Sequence, residues 1–586
     1  MFAGLLQLEL RRTAQGEFHV LHAAAAGWYA GHGFPVEAVR HAQAAQDWGL
    51  AARLLADHGL GLVLNGQGGI TYELLAAFPA GAVAADAELT ALMAAGELTG
   101  GSLEEAERYL AQAARRLEGS KGPVPAERRG GLQILLTTLG LFLARRRGDL
   151  PTVAEQADQL LAAVEDPDAA QLGLGEDLRA LALVSLGTAE AYAARLEDAD
   201  RHLEQGVALA RRIGRPYLEF LGLAYGTLAA AFRSYVLGER RCRQAIELAR
   251  RHGWGEDQAA SVAYATLAGV VVCQGRLADA EPWLERAEQT LRAEAEPGAG
   301  MNLHYARGLL ELARDRNEEA VSAFQAAERL AGTLVTPHTM APRMRSHLLF
   351  ALLRLGQTGR VEATLTGLDS RERASAPMCI ALAALRLAQH DPQPATAALA
   401  PVIDGSAAAH PTWVAAALLL EAISRDALGD PDAAGHALER ALDLAEPDRM
   451  FLPFLLHPTP ELLERHAQQH TAHAALIAEI LSVLTEASRP AAPPGEPRSL
   501  REPLSQAETR VLRYLPTRLS VPEIAGQLHL SVNTVRTHMR HVYDKLDAHR
   551  RHEAVEQART LGLLAPSTQR PTPLPAGPCC SLLRFQ

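Results

Sequence analysis

Over residues 15–485 the apolar positions recur three and four apart, and polar clusters interrupt them at even intervals. One pattern keeps returning: Ala, then Leu or Phe four residues on, then a small residue three further. It stands at Ala106/Leu110/Ala113, Ala280/Leu284/Ala287, Ala320/Phe324/Ala327 and Ala434/Leu438/Ala441, with weaker copies at Val153/Ala157/Leu160 and Ala199/Leu203/Gly206. Positions i, i+4 and i+7 share one face of a helix. Small residues on that face let a neighbouring helix approach, and the large one fills the gap. A turn-like cluster precedes each copy, among them Gly148-Asp149, Gly275-Arg276, Asp315-Arg316-Asn317 and Gly429-Asp430-Pro431, and another apolar helical run precedes each turn. The unit is therefore helix, tight turn, helix, repeated roughly every 40 residues. Stacked pairs account for turns spread so evenly; a non-repetitive helical domain, the alternative, leaves that spread unexplained. The pattern predicts an all-α chain whose residues 1–487 form a degenerate helical-repeat solenoid.

The rhythm then breaks. Residues 488–503 hold Pro490, Pro493, Pro494, Pro497 and Pro503, too dense for helix, and read as a stiff linker between separately folded parts. Residues 504–565 read as a compact helical domain. Residues 566–586 are again proline-rich and read as a disordered tail.

Within the compact domain the helix starts are marked. Ser505 with Glu508, and Ser520 with Glu523, are capping boxes, and Pro522 occupies a first turn where its missing N–H costs nothing. The first helix turns Ala507, Val511, Leu512 and Leu515 inward, and the second runs through Ile524, Ala525 and Leu528. His529-Leu530 make a short turn. Ser531 caps a third helix, Val532 to about Leu546, with Val535, Met539, Val542 and Leu546 as its core stripe. A fourth helix is predicted over about His552–Leu561, ended by Gly562. Two helices joined by a tight turn, with small Ala525 inside the first, describe a helix-turn-helix. Opposite the core stripe lie Asn533, Arg536, Thr537 and Arg540, with Lys545 near the end. An arginine fork is planar and matches O6 and N7 of guanine. Ser531, Asn533 and Thr534 sit at the helix start, where free N–H groups and hydroxyls hold a phosphate. A lone arginine pair would read as a solvated helix face; the three caps, the turn and the core spacing favour DNA.

Charge sharpens this picture. The 586 residues carry a net −11, which excludes a uniformly basic coat but not a basic module. Residues 501–565 hold ten Lys/Arg against seven Asp/Glu, and the tail adds Arg570 and Arg584, so the preceding body is strongly acidic. Five cysteines without a CxxC indicate neither a disulfide framework nor zinc. No signal peptide and no membrane-length apolar run is evident, so a cytoplasmic place and no membrane partner are expected. No GxxxxGK[ST] occurs and no catalytic constellation is apparent, so neither an enzyme nor a cofactor is expected in this chain. Gly59-Leu60-Gly61 and Gly66-Gln67-Gly68-Gly69 read as a turn between helices. His466, His470 and His473, spaced i, i+4 and i+7, read as a solvated helix face rather than a zinc site. His538 stands beside the reading face, with a phosphate or packing role ahead of pH sensing.

These residues carry a resemblance. Leu504-Ser505, Glu508, Val511-Leu512, Pro522-Glu523-Ile524-Ala525, Leu530-Ser531-Val532-Asn533-Thr534-Val535-Arg536-Thr537-His538, Lys545-Leu546 and Ala554-Val555 resemble the LuxR-type helix-turn-helix over residues 504–564. The resemblance implies that Arg536, Thr537 and Arg540 face bases, that Thr534 and Lys545 lie near phosphates, and that the fourth helix pairs two modules on a two-fold DNA site. Ala507, Asp547 and His549 depart from the family pattern; the first is expected to weaken an internal ion pair and the second to strain the turn into the fourth helix. The solenoid resembles tetratricopeptide repeats, and the run from Leu21-His22 through Trp28-Tyr29, Glu37-Ala38-Val39-Arg40-His41-Ala42 and Asp47-Trp48 to Leu54-Leu55 resembles the repeat region of MalT-like large regulators. That likeness implies a small-molecule or protein effector on the solenoid, with RNA polymerase a candidate partner. It also implies an ATP-binding domain ahead of residue 1, either lost or hidden by a start assigned too late, and ATP enters only through such a domain. The alternative function is a helical-repeat scaffold with a vestigial DNA module.

Overall fold

The computed structural model of the protein describes residues 15–487 and 504–564, apart from 101, 119–123, 164–173, 194, 292–295, 470, 518, 547, 549 and 561–562. Among the described residues every regular element is a helix. They pack as antiparallel pairs: Ala126–Arg147 with Leu150–Ala163, Gly175–Tyr192 with Leu196–Arg212, Pro216–Arg233 with Tyr235–His252, Gln258–Cys273 with Leu277–Thr290, Pro297–Ala313 with Asn317–Ala331, Ala376–Ala388 with Pro392–Ile403, and Pro411–Ala427 with Pro431–Ala445.

The two helices of a pair differ in pattern, and the difference places them. Between Ala259 and Cys273 all residues but Gly269 are buried, and Pro216–Arg233 is buried on nearly every side. Helices apolar all round form the interior. Their partners bury one stripe only, and it is the repeated pattern: Ala280, Leu284 and Ala287, Ala320, Phe324 and Ala327, and Ala434, Leu438 and Ala441 are all fully buried. The small positions bring backbones together. A Cβ on Gly308 would stand 2.5 Å from Cε1 of Phe324, so that ring packs directly on the backbone of the preceding helix.

The turns share one device. Gly148, Gly275 and Gly429 adopt left-handed φ of 64°, 77° and 79°, and Asp315 does so at 59°. A left-handed residue ends a helix and lets the freed N–H groups return to its last carbonyls; the Gly148 N–H donates to Arg145 O at 3.0 Å and that of Asp149 to Ala144 O at 2.9 Å. All of this builds one apolar core from Ala26 to Leu484.

Two segments reach back to helices far earlier in the chain. Backbone N–H groups of Val335 and Thr336 donate to Arg147 O and Gly148 O at 3.2 and 3.1 Å, and that of Phe451 to Cys273 O at 2.9 Å. Ser234 Oγ donates to Asp448 Oδ1 at 2.6 Å, across 214 residues.

Some expectations change. Gly59 and Gly61 lie inside the helix Trp48–Leu64, where Gly59 meets Leu92; the turn is confined to Asn65, Gly66 and Gln67, and Gly68 already opens the next helix. His466 and His473 do not share a solvated helix face, because the helix ends at Ala467 and the next begins at Ala474. Both are buried, His466 bonding Glu439 at 2.5 Å and His473 bonding Asp443 at 2.9 Å. His470 lies outside the described residues. So do Asp547, His549, Gly562, the linker 488–503 and the tail 566–586. No metal-holding cluster occurs among the described residues, and no helix among them is long and apolar enough to cross a membrane.

Candidate nucleic-acid interface

The C-terminal domain is built by its caps. Ser505 N donates to Glu508 Oε2 at 2.7 Å while Glu508 N donates to Ser505 Oγ at 3.3 Å, starting the helix Gln506–Leu512. Ser520 N donates to Glu523 Oε2 at 2.7 Å at the start of Val521–Leu528. His529, left-handed at φ 53°, ends that helix, and Ser531 Oγ accepts from Thr534 N at 3.1 Å to start Val532–Lys545. The fourth helix spans Arg551–Thr560. Val535, Val542 and Leu546 are buried as the stripe requires, and Met539 packs beside them. The turn between the two helices of the motif is three residues, 529–531.

With that stripe inward, Asn533, Arg536, Thr537 and Arg540 are exposed on the opposite side. Neither Arg536 nor Arg540 has a hydrogen bond or ion pair among the described residues, and they stand one turn apart. Thr537 Oγ1 donates to Asn533 O at 2.9 Å, which leaves its oxygen to accept and its methyl outward. The hydroxyls of Ser531 and Thr534 lie 2.7 Å apart and serve the cap.

Lys545 is a correction. Expected near phosphate, it turns inward, with Nζ donating to Glu508 Oε2 at 2.8 Å and the side chain largely buried. Glu508 is 4% exposed. Burial pushes its carboxyl up, but the Lys545 bond and the Ser505 bonds outweigh that and hold the pKa at about 2. His541 Nδ1 stands 3.4 Å from its other oxygen. Glu508, which Ala507 leaves without a cation beside it in sequence, thus has its ion pair from the third helix.

Arg551 was missed altogether. Its guanidinium donates to the carbonyls of Leu515, Leu519, Tyr514 and Thr517 at 2.7 to 2.9 Å, tying the fourth helix to the connection between the first two. An arginine bonded only to carbonyls leaves no charge pattern to read. His538 Nδ1 is buried without a partner among the described residues.

The domain rests on the solenoid's last helix. Ala478, 1% exposed, packs with Val511, Tyr514, Ile524, Ala525, Leu528 and Val535. The face used is not the one that carries Arg536 and Arg540.

These features define a LuxR-type helix-turn-helix mounted on a helical-repeat solenoid. Residues 142–464 match the MalT-like TPR region, and residues 502–558 match the bacterial regulatory proteins of the luxR family. The chain belongs to the MalT-like, LuxR-type regulators. The HTH-type transcriptional regulator MalT of Serratia proteamaculans is 41% identical over 69 residues, 12% of this chain and 8% of the relative. That of Vibrio cholerae is 31% identical over 166 residues, 25% of this chain and 18% of the relative. The chain thus matches less than a fifth of the length of these curated relatives. A chain of the APC/C hetero-tetramer Cut9–Hcn1 aligns with 80% of this chain and 96% of its own at TM-score 0.34 and 14% identity.

Proposed function

We propose that the chain is a sequence-specific, DNA-binding transcriptional regulator, working in the cytoplasm where promoter DNA is met. The helix Val532–Lys545 enters the major groove, Arg536, Thr537 and Arg540 read base edges, and Ser531, Asn533 and Thr534 lie against phosphates. Lys545 supports the helix from within. The single observation that carries this reading is the pair of exposed, unpartnered guanidiniums one turn apart on the third helix of a fully capped helix-turn-helix. A surface arginine with no carboxylate beside it keeps its fork available for a base. The fourth helix pairs two modules on a two-fold site, with RNA polymerase a candidate partner.

The solenoid is the effector- or partner-binding and self-association region in this proposal. It holds a cavity of about 390 Å³ lined by Phe142, Arg145, Tyr217, Tyr225, Trp254 and Glu296, a size suited to a small molecule. There the Tyr225 hydroxyl donates to Glu296 at 3.1 Å and Arg145 lies over the Tyr225 ring at 4.4 Å.

Selection from random duplexes, followed by binding of wild type and Arg536→Ala, tests the DNA reading. The variant should lose about 1–3 kcal/mol at the selected site and tolerate any base at one position. Selection that returns no site would leave a repeat scaffold with a vestigial module. Equal binding of both proteins to every sequence would remove Arg536 from the reading face.

A further inference from the structure

Arginines inside the solenoid are generally matched. Arg145 lies 3.5 Å from Glu296, Arg307 and Arg314 share Glu281, and Arg354 donates to carbonyls of Leu312, Leu455 and Leu456. Arg343 is the exception. It is the third residue of the helix Ala341–Arg354, is only partly exposed, and has no side-chain hydrogen bond or ion pair among the described residues. Its guanidinium carbon stands 4.3 Å from the centre of the Phe232 ring. Cation–π contact offsets only part of the cost of holding a partly buried charge with no acid beside it.

What surrounds the guanidinium suits an anion. Arg343 lines a cavity of about 40 Å³ with Tyr235, Tyr305, His347, Thr412 and Trp413. The Tyr235 hydroxyl and His410 Nδ1 each stand 3.0 Å from Thr412 Oγ1, and the Tyr305 hydroxyl 3.3 Å from His347 Nδ1. Among the described residues the lining holds no carboxylate. Burial lowers the pKa of Arg343, and the opposing influences are Tyr305, Tyr235 and Cys273 rather than any acid. Burial also holds His347 at about 4 and His457, on the same wall, at about 3, so both are neutral near pH 7 and Arg343 is the cation of the cavity. The volume admits roughly three waters. That suits a carboxylate or phosphate group and excludes a sugar or nucleotide.

We infer that Arg343 anchors a site for a small oxyanion, with the hydroxyls of Tyr235, Tyr305 and Thr412 around it. The site joins elements far apart in sequence, including the segment Leu452–Leu456 that follows the Phe451–Cys273 bond, so a bound anion ties that segment in place. This inference is independent of the DNA-binding reading and of the larger cavity.

Titration of the full chain with inorganic phosphate, sulfate and acetate, at ionic strength held constant with chloride, tests it by calorimetry and by melting midpoint. At least one of the three should bind saturably and raise the midpoint. Arg343→Met should weaken that binding on the order of ten-fold or more, the loss of a charge-assisted bond. A response to phosphate and sulfate alone assigns a tetrahedral anion; a response to acetate alone assigns a carboxylate. Absence of saturable binding in the wild type, or undiminished binding in Arg343→Met, overturns the site. If Arg343→Met does not fold, Arg343→Lys keeps the charge and loses the planar fork. It should bind about ten-fold more weakly, and an unchanged constant there overturns the site equally.

Discussion

At the scale of single residues, Glu508 holds the DNA-binding domain together. It closes its own helix's capping box and receives Lys545 from the reading helix, so one carboxylate orients the face that presents Arg536 and Arg540. Its pKa lies near 2 in the folded chain, against an ordinary 4.5. A depressed carboxyl pKa stabilises the fold fully above the unfolded value, and that stabilisation is lost as pH falls through the folded value. Amide exchange at Val535 and Val542, followed from about pH 5 to about pH 3, should therefore show the domain weakening in the wild type and much less in Glu508→Gln. Parallel slopes would show that the bonds to Glu508 do not persist in solution. Lys545→Met, which leaves the carboxylate buried without its cation, should cost about 1–3 kcal/mol at neutral pH.

At the scale of elements, the packing of the repeats makes its own prediction. Gly308 lies inside the helix Pro297–Ala313, where Ala would ordinarily gain about 1 kcal/mol. Phe324, fully buried, occupies the space that its Cβ needs and has nowhere to retreat. Overpacking costs about 1–3 kcal/mol, so Gly308→Ala should be neutral to destabilising by about 2 kcal/mol. In a Phe324→Leu background the same change should become stabilising, and a double-mutant cycle on the melting midpoint reads the difference. A sign unchanged by Phe324→Leu would mean that the ring does not set the helix spacing.

Such contacts explain what was readable. The Ala-Leu-Ala stripes, the capping boxes and the core stripe of the reading helix are local patterns, and local patterns fix which face turns inward. Arg536, Thr537 and Arg540 came to the surface because Val535, Val542 and Leu546 had to be buried. Lys545 was misjudged because its partner lies 37 residues away, and nothing near it reveals an inward turn. His466 and His473 were misread because the short break after Ala467 destroys their common face, and their acids stand on the neighbouring helix Pro431–Ala445. Arg343 was invisible for the same reason: the residues that line its cavity come from helices far away in sequence.

At the scale of the whole molecule, the DNA-binding domain is held against the solenoid even though a proline-rich linker joins them. The contact uses Ala478 and the apolar side of the first two helices of the domain, while Leu512, Val542, Leu546, Ala554 and Ala558 form a separate core within it. Disrupting the contact should therefore leave the domain folded and the reading face intact. Docking does fix the direction in which each module points relative to its solenoid. If two modules pair on a two-fold site as proposed, docked ones should accept few half-site spacings, because their bulky solenoids must also fit, whereas released modules on linkers should accept more. Ala478→Arg places a charge at a position 1% exposed and should undock the domain. Binding to a single half-site should stay within about two-fold of wild type, since no base or phosphate contact is touched. Across duplexes with half-sites at graded spacing, measured by fluorescence anisotropy, the wild type should prefer one narrow set and Ala478→Arg should bind a broader one. An identical spacing profile would mean that the domain already swings freely in the native chain, and that orientation is set by the fourth helix alone.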